Sequence, residues 1–252
     1  PELFERWEPA VAYGCAWGRA QLPELAGRAV LGVADSAWNE GELRAAGYRA
    51  TATAPILVDL VSSPRPVAST GRDWLFVGRV SPNKCQHDVI KAFAAYRRAY
   101  DPAARLHLVG GSSSDSYLAA LAGFVDALGL GGAVVLAGTV SGAVLEEHYR
   151  SAGVFVCLSE HEGFCIPLVE AMAHGVPVVA YASTAVPATV GDGGVVLASK
   201  QPAVVAAAVH RVLGDEGLRA SLAAAAACRV DSFGLERTRQ RWVEVLGGLA
   251  AR

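Results

Sequence analysis

The segment SEHEGFCIPLVEA (159–171) places two carboxylates, Glu162 and Glu170, eight positions apart around a glycine and a proline. Gly163 allows the backbone to approach a ligand closely. Pro167 suits the first turn of a helix, where its missing N–H costs nothing. A helix starting here leaves the amides of Gly163, Phe164, Cys165 and Leu168 unpaired and turned outward, which makes an anion site from backbone alone. Glu170, in the first turns of that helix, can accept two hydrogen bonds from a ribose diol. Glu162, on the loop, can reach sugar hydroxyls or a reacting centre. The bland alternative is a glycine turn into a buried helix, with Phe164, Ile166 and Leu168 as core and the carboxylates sited only to suit the helix N-terminus.

A second cluster, GRVSPNK (78–84), carries cations. Arg79 offers a planar fork of donors to phosphate, and Lys84 a compact charge just before a helix. A lysine there opposes the helix dipole by about 0.3–1 kcal/mol, an objection that a bound anion removes. With no anion, both read as solvated surface. Together the two clusters suit a ligand with a sugar, a diphosphate and a ribose. His161, on a loop beside two glutamates, reads more readily as polar surface than as a general base. The other histidines (87, 107, 148, 174, 210) show no metal-ligand spacing, and the five cysteines contain no C-x-x-C. The reading is therefore no metal, no cofactor and no disulfide framework.

The elements that must position these residues are visible from Arg72 onward. Short Val-rich runs at 74–80, 105–111, 133–140, 154–159 and 176–182 alternate with helical segments at about 86–100 and 117–128, one capped by Ser141, and one ended by Gly175 before Pro177. This is the pattern of an α/β fold with a Rossmann-like parallel sheet covered on both faces. In such sheets ligands bind beyond the carboxyl ends of the strands. The polar residues follow the strands in just that way: Arg79 and Lys84, Gly110 to Ser112, Gly138 and Thr139, Ser159 to Glu162, Ser183 and Thr184. Three helices close the chain, near 202–213, 216–229 and 235–249.

The first 60 residues differ. A helix over 3–19, a strand-like run at 29–36 and a helix over 39–46 amount to about one βα unit. That is too little to bury a core, so residues 1–60 read as the residual end of an amino-terminal Rossmann-like domain. Residues 61–73 read as a linker, 74–235 as the ligand-binding domain and 236–252 as a carboxyl-terminal helix. Trp7, Trp17 and Trp38 fall in this first piece and read as packing residues, not as a stacking platform for a ligand. The initial Pro suggests part of a longer protein.

With 52% hydrophobic and 18% charged residues the chain is globular, and its net charge of −2 makes no electrostatic case for nucleic acid or an anionic membrane. Scattered cysteines favour a reduced, cytoplasmic setting. No apolar run reaches the roughly 18 residues of a membrane span. VGGSSSD (109–115) lacks G-x-G-x-x-G, which disfavours a nicotinamide dehydrogenase.

In order, LFVGRVSPNK, RLHLVGG, VVLAGTVS, CLSEHEGFCIPLVEAMAHGVPVVAY and VGDGGVVL resemble the carboxyl-terminal half of family-4 retaining glycosyltransferases of GT-B fold. The likeness covers about 29–250 and is strongest over 74–198. ADSAWNEGELRAAGY resembles the end of that family's first domain. The resemblance implies a nucleotide-diphosphate-sugar donor, with Arg79 and Lys84 on the diphosphate, Glu162 by the sugar and Glu170 on the ribose. It places the backbone of Gly78, Gly163, Phe164, Cys165 and Leu168 around the donor, and Thr139 and Val140 by the base. It further implies a glycan or lipid-linked acceptor, as in polysaccharide biosynthesis, no bound metal, and peripheral membrane contact at the inner face through the absent domain. A non-catalytic nucleotide-sugar-binding domain and a GT-B nucleotide-sugar epimerase are the alternatives. Two departures stand out: Cys165 where Gly is frequent, which reads as one added small apolar side chain, and Ala188 where Glu is frequent.

Overall fold

In a computed structural model the described residues are 2–58 and 71–250. The expected linker falls largely on 61–70, outside them. Strands β1 (Gly32–Ala34) and β2 (Thr51–Thr53) pair in parallel in a two-stranded sheet. Helix α1 (Pro9–Arg28) precedes them and α2 (Ala37–Ala45) lies between. α1 starts and ends later than expected: Pro9 takes the first turn, where its ring is favoured, and the helix continues through Pro23.

The larger sheet holds six parallel strands. These are β3 (Asp73–Val77), β4 (Leu106–Val109), β5 (Val134–Gly138), β6 (Ala152–Cys157), β7 (Val178–Tyr181) and β8 (Gly194–Leu197), in the order β5-β4-β3-β6-β7-β8. The sequence reading found five of them. β8 escaped it because GVVL is short, opens on glycine and is half-buried throughout.

Alternation along each strand sends neighbours to opposite faces. Trp74, Phe76, Val154 and Val156 join α3 (Gln86–Ala99), α4 (Asp115–Ala127) and α8 (Pro202–Gly214) in one core. Leu75, Phe155 and Cys157 join α5 (Gly142–Ser151), α6 (Ile166–Ala173) and α7 (Val186–Val190) in the other. β6 is buried at all six positions, as expected for a central strand covered on both sides.

Helices α9 (Glu216–Ser232) and α10 (Leu235–Ala250) finish the chain. α10 reaches back to the first unit: Trp242 Nε1 donates to Pro55 O at 2.9 Å and Arg241 Nε to Thr53 O at 3.0 Å. Trp7 packs on Tyr117, with ring centroids 5.5 Å apart. Trp17 and Trp38 are exposed, contrary to the packing expected of them. The chain runs outward from β3 through β4 to β5, then returns to β6 on the other side of β3. That reversal opens a crevice between the carboxyl ends of β3 and β6, the usual ligand position in such sheets.

Candidate functional site

Two glycines shape the exit of β3. Gly78 and Gly110 have φ of +154° and +141°, and a Cβ on Gly110 would lie 2.1 Å from the Gly78 carbonyl oxygen. The exits of β3 and β4 therefore touch through bare backbone. Arg79 follows, exposed, with its carbonyl accepting from Gln86 Nε2 at 2.9 Å. A 3-10 turn over Pro82–Lys84 and a left-handed Cys85 (φ +52°) then lead into α3.

The loop after β6 is joined to this turn. Glu160 N–H donates to Asn83 O at 2.9 Å, and Asn83 Nδ2 to His161 O at 3.4 Å. Across the junction Lys84 Nζ lies 2.6 Å from Glu162 Oε2, and Glu162 is only 5% exposed. The exit of β7 supplies the third support: Glu162 N–H donates to Thr184 Oγ1 at 2.8 Å, and that hydroxyl donates to Glu162 O at 2.7 Å. Thr184 is itself left-handed (φ +41°). Three strand exits thus converge on one residue, Glu162: Lys84 on its carboxylate and Thr184 on its main chain.

Cys165 enters α6 at φ +68° and provides no side-chain cap. The amides of Gly163, Phe164 and Cys165 have no partner among the described residues. Leu168 differs from the expectation: its N–H donates to Cys165 O at 3.0 Å, because the left-handed entry tightens the first turn to an i+3 bond. Its side chain is fully buried. Phe164 is core as well, edge-on to Phe233 with centroids 5.1 Å apart. The left-handed backbone also revises the reading of Cys165 as merely a small apolar addition. Glycine suits that conformation best, and here a thiol occupies it.

Glu170 Oε2 accepts from the hydroxyl of buried Tyr149 at 2.8 Å, and the Tyr149 ring stacks on His174. Burial and the neighbouring carboxylate push the Tyr149 hydroxyl far above its ordinary range, so it remains a donor. Thr139 and Val140 lie beyond β5, two strands away, and a Cβ on Gly111 would lie 2.7 Å from Thr139 Oγ1. His161 is exposed. The expected residues after β3, β6 and β5 thus lie along one sheet edge, with the tightest grouping at Lys84 and Glu162.

Several contributors were not legible in the sequence. Tyr149 and Thr184 hold the two glutamates. Lys200 Nζ lies 2.7 Å from Glu160 Oε1 and 2.9 Å from Asp88 Oδ2, tying the Glu160 loop to α3. From the first unit, Asp35 and Asn39 cover Gly163, where a Cβ would lie 3.0 Å from Asp35 Oδ2. Nothing in the spacing of these residues marks them, since each acts across a tertiary contact.

Cys157 at the end of β6 meets Cys165 at the start of α6. The hydrogen bond between their thiols, with burial, raises the Cys165 thiol well above its ordinary range. Potential metal-ligating atoms come within 4.8 Å of one another in two places, Cys157–Glu162–Cys165 and Cys85–His87–Asp88.

The family described as glycosyl transferases group 1 matches residues 63–229. The chain belongs to that family. A D-inositol 3-phosphate glycosyltransferase of Geodermatophilus obscurus is 34% identical over 239 residues, covering 88% of this chain and 52% of the relative. One from Salinispora arenicola is 36% identical over 184 residues, covering 70% of this chain and 41% of the relative. The chain thus spans about half the length of the curated relatives it matches. Among solved structures, the sucrose-phosphate synthase of Thermosynechococcus elongatus superposes with a TM-score of 0.77 at 26% identity, covering 88% of this chain and 59% of that one. Anabaena HepE in complex with UDP and glucose superposes with a TM-score of 0.80 at 23% identity, covering 91% and 67%. The six-stranded sheet is that of a GT-B glycosyltransferase. No helix among the described residues is long and apolar enough to cross a membrane.

Proposed function

We propose that this chain is the donor-binding half of a retaining glycosyltransferase, moving a hexose-type sugar from a nucleotide diphosphate to a glycan or lipid-linked acceptor. The observation that carries it is the crevice itself. Lys84, Glu162 and the unpaired amides of Gly163, Phe164 and Cys165 stand together where β3 and β6 diverge. The HepE complex with UDP and glucose and the names of the curated relatives support the same reading.

In this reading the departing diphosphate gathers negative charge, which Arg79, Lys84 and the start of α6 stabilise. Removing one such preorganised donor typically raises a barrier by about 2.7–4 kcal/mol. Without donor, Lys84 neutralises Glu162. With diphosphate present it turns to the phosphate, freeing Glu162 for sugar hydroxyls. Tyr149 holds one oxygen of Glu170 and leaves the other for the ribose. The backbone at Thr139 and Val140, two strands away, lies where the base would extend. The mechanism calls for no metal.

The half-length match favours one second reading, that this chain alone binds donor without transferring it. A thermal-shift panel of UDP, GDP, ADP, dTDP and their sugar conjugates tests the donor site. At about 100 times its dissociation constant a ligand adds roughly 2.7 kcal/mol of stability. A shift with one nucleotide, lost in Glu170→Ala, is the expected result. No shift with any, or equal shifts in Lys84→Ala and Glu170→Ala, would overturn the site. Product analysis with an acceptor then separates transfer from binding alone.

A further inference from the structure

The two clusters of potential ligands differ in what already occupies them. At Cys85, His87 and Asp88 a cation is in place: Lys200 Nζ lies 2.9 Å from Asp88 Oδ2 and 3.6 Å from Cys85 Sγ, and Lys91 lies 3.1 Å from Asp88 Oδ1. At Cys157, Glu162 and Cys165, Lys84 touches only Oε2 of Glu162. We propose that Cys157, Cys165 and Glu162 form a binding site for a thiophilic divalent cation of the zinc class, and that its occupation closes the crevice.

The fold builds this site from residues that the sequence keeps eight positions apart. Cys157 ends β6, Cys165 precedes α6, and the loop between them turns back so that all three ligand atoms fall within 4.8 Å of one another. Zinc binds thiolate at about 2.3 Å and carboxylate at about 2.0–2.2 Å in tetrahedral sites, which sets two coordinating sulfurs about 3.8 Å apart. Closing from the observed spacing needs shifts of about 1 Å or less. Cys165 occupies a backbone conformation that glycine adopts without strain, and it is the residue whose thiol completes the set. Ser159 Oγ, 3.4 Å from Cys157 Sγ, supplies a supporting hydrogen bond to one ligand.

The charges balance. On binding, each thiol releases its proton to solvent. Two thiolates and one carboxylate meet a divalent cation, and Lys84 cancels the remaining negative charge. Lys84 can keep Oε2 while the metal takes the other oxygen. Such a cation holds Glu162 away from a sugar and keeps Lys84 from a diphosphate. This closure rests on the donor-site reading, whereas the metal site does not.

The test uses the reduced protein with the exposed Cys15 and Cys228 changed to Ser. Titration with cobalt(II) should give a saturable thiolate-to-metal charge-transfer band. Cys165→Gly, whose backbone suits φ +68°, should abolish the band, and Glu162→Gln should weaken binding about tenfold or more. No saturable band, or a band that survives Cys165→Gly, would overturn the site. In a second arm, zinc should suppress the UDP thermal shift in the parent and not in Cys157→Ala, which removes a metal ligand and leaves the donor-site residues in place. A UDP shift unaffected by zinc would overturn the closure. Absence of any UDP shift without zinc would count against the donor reading, leaving the cobalt titration to decide the metal site.

Discussion

Lys84 Nζ and Glu162 Oε2 lie 2.6 Å apart although 78 residues separate them. The pair spans the crevice between β3 and β6, and its carboxylate is buried. Removing one partner of such a pair strands a charge, at a cost of about 3 kcal/mol. Lys84→Met should therefore lower stability in urea by about that much, and Lys84→Met/Glu162→Gln should recover most of the loss. Additive effects of the two changes would show that the residues do not interact.

Tyr149 is the counterpart at the other glutamate. Tyr149→Phe removes a hydrogen bond to Glu170, worth about 1.5 kcal/mol because its acceptor is charged. If Glu170 holds the ribose, that loss of preorganisation should weaken nucleotide binding about tenfold. Calorimetric titration with the nucleotide selected by the thermal-shift panel measures it. Unchanged affinity would assign Tyr149 to packing alone.

The left-handed cysteine at the start of α6 stores strain. Non-glycine residues held at positive φ cost of order 1 kcal/mol or more. Cys165→Gly should keep or raise the melting temperature, by about 2–4 °C for each kcal/mol gained. Cys165→Val, with a branched side chain at φ +68°, should lower it. A large loss of stability in Cys165→Gly would mean the thiol's packing outweighs the strain.

Acid should loosen the contact between α3 and the Glu160 loop. Burial opposes ionisation of Asp88, but hydrogen bonds from Lys200 and Lys91 win and hold its carboxyl below the ordinary value. A carboxyl depressed in the folded state contributes stability above its unfolded value and loses it as pH falls through the folded one. Lys200 works in the other direction. Burial opposes its charge, yet Asp88 and Glu160 raise it above the lysine range, so its contribution fades only as pH rises through that elevated value. Asp88→Asn should lose less stability than the parent between about pH 5 and pH 3, read from urea midpoints. Identical acid limbs would remove Asp88 from the account.

Much of the fold was legible because burial leaves a periodic trace. Runs such as VFVCLS and VPVVAYA could only be strands covered on both faces, and Gly175 before Pro177 marked the end of α6. β8 left a weaker trace, being short and half-buried. The unpaired amides at Gly163, Phe164 and Cys165 followed from the placement of a glycine and a proline. The amide of Leu168 did not, because its bond to the Cys165 carbonyl depends on a left-handed φ that a cysteine does not announce.

By itself the sequence determined the alternation of elements, the edge of the sheet that carries polar residues, and the two carboxylates on one loop and helix. Those properties are local, set by side-chain period, helix-start chemistry and backbone freedom within a few residues. The tertiary structure alone decided that Lys84 faces Glu162, that Tyr149 holds Glu170, that Asp35 covers Gly163 and that Cys157 meets Cys165. Each of these depends on where the chain reverses after β5 and returns beside β3, or on how the loop after β6 folds back. No residue's own preferences encode that return; the joint burial of both faces of the sheet selects it.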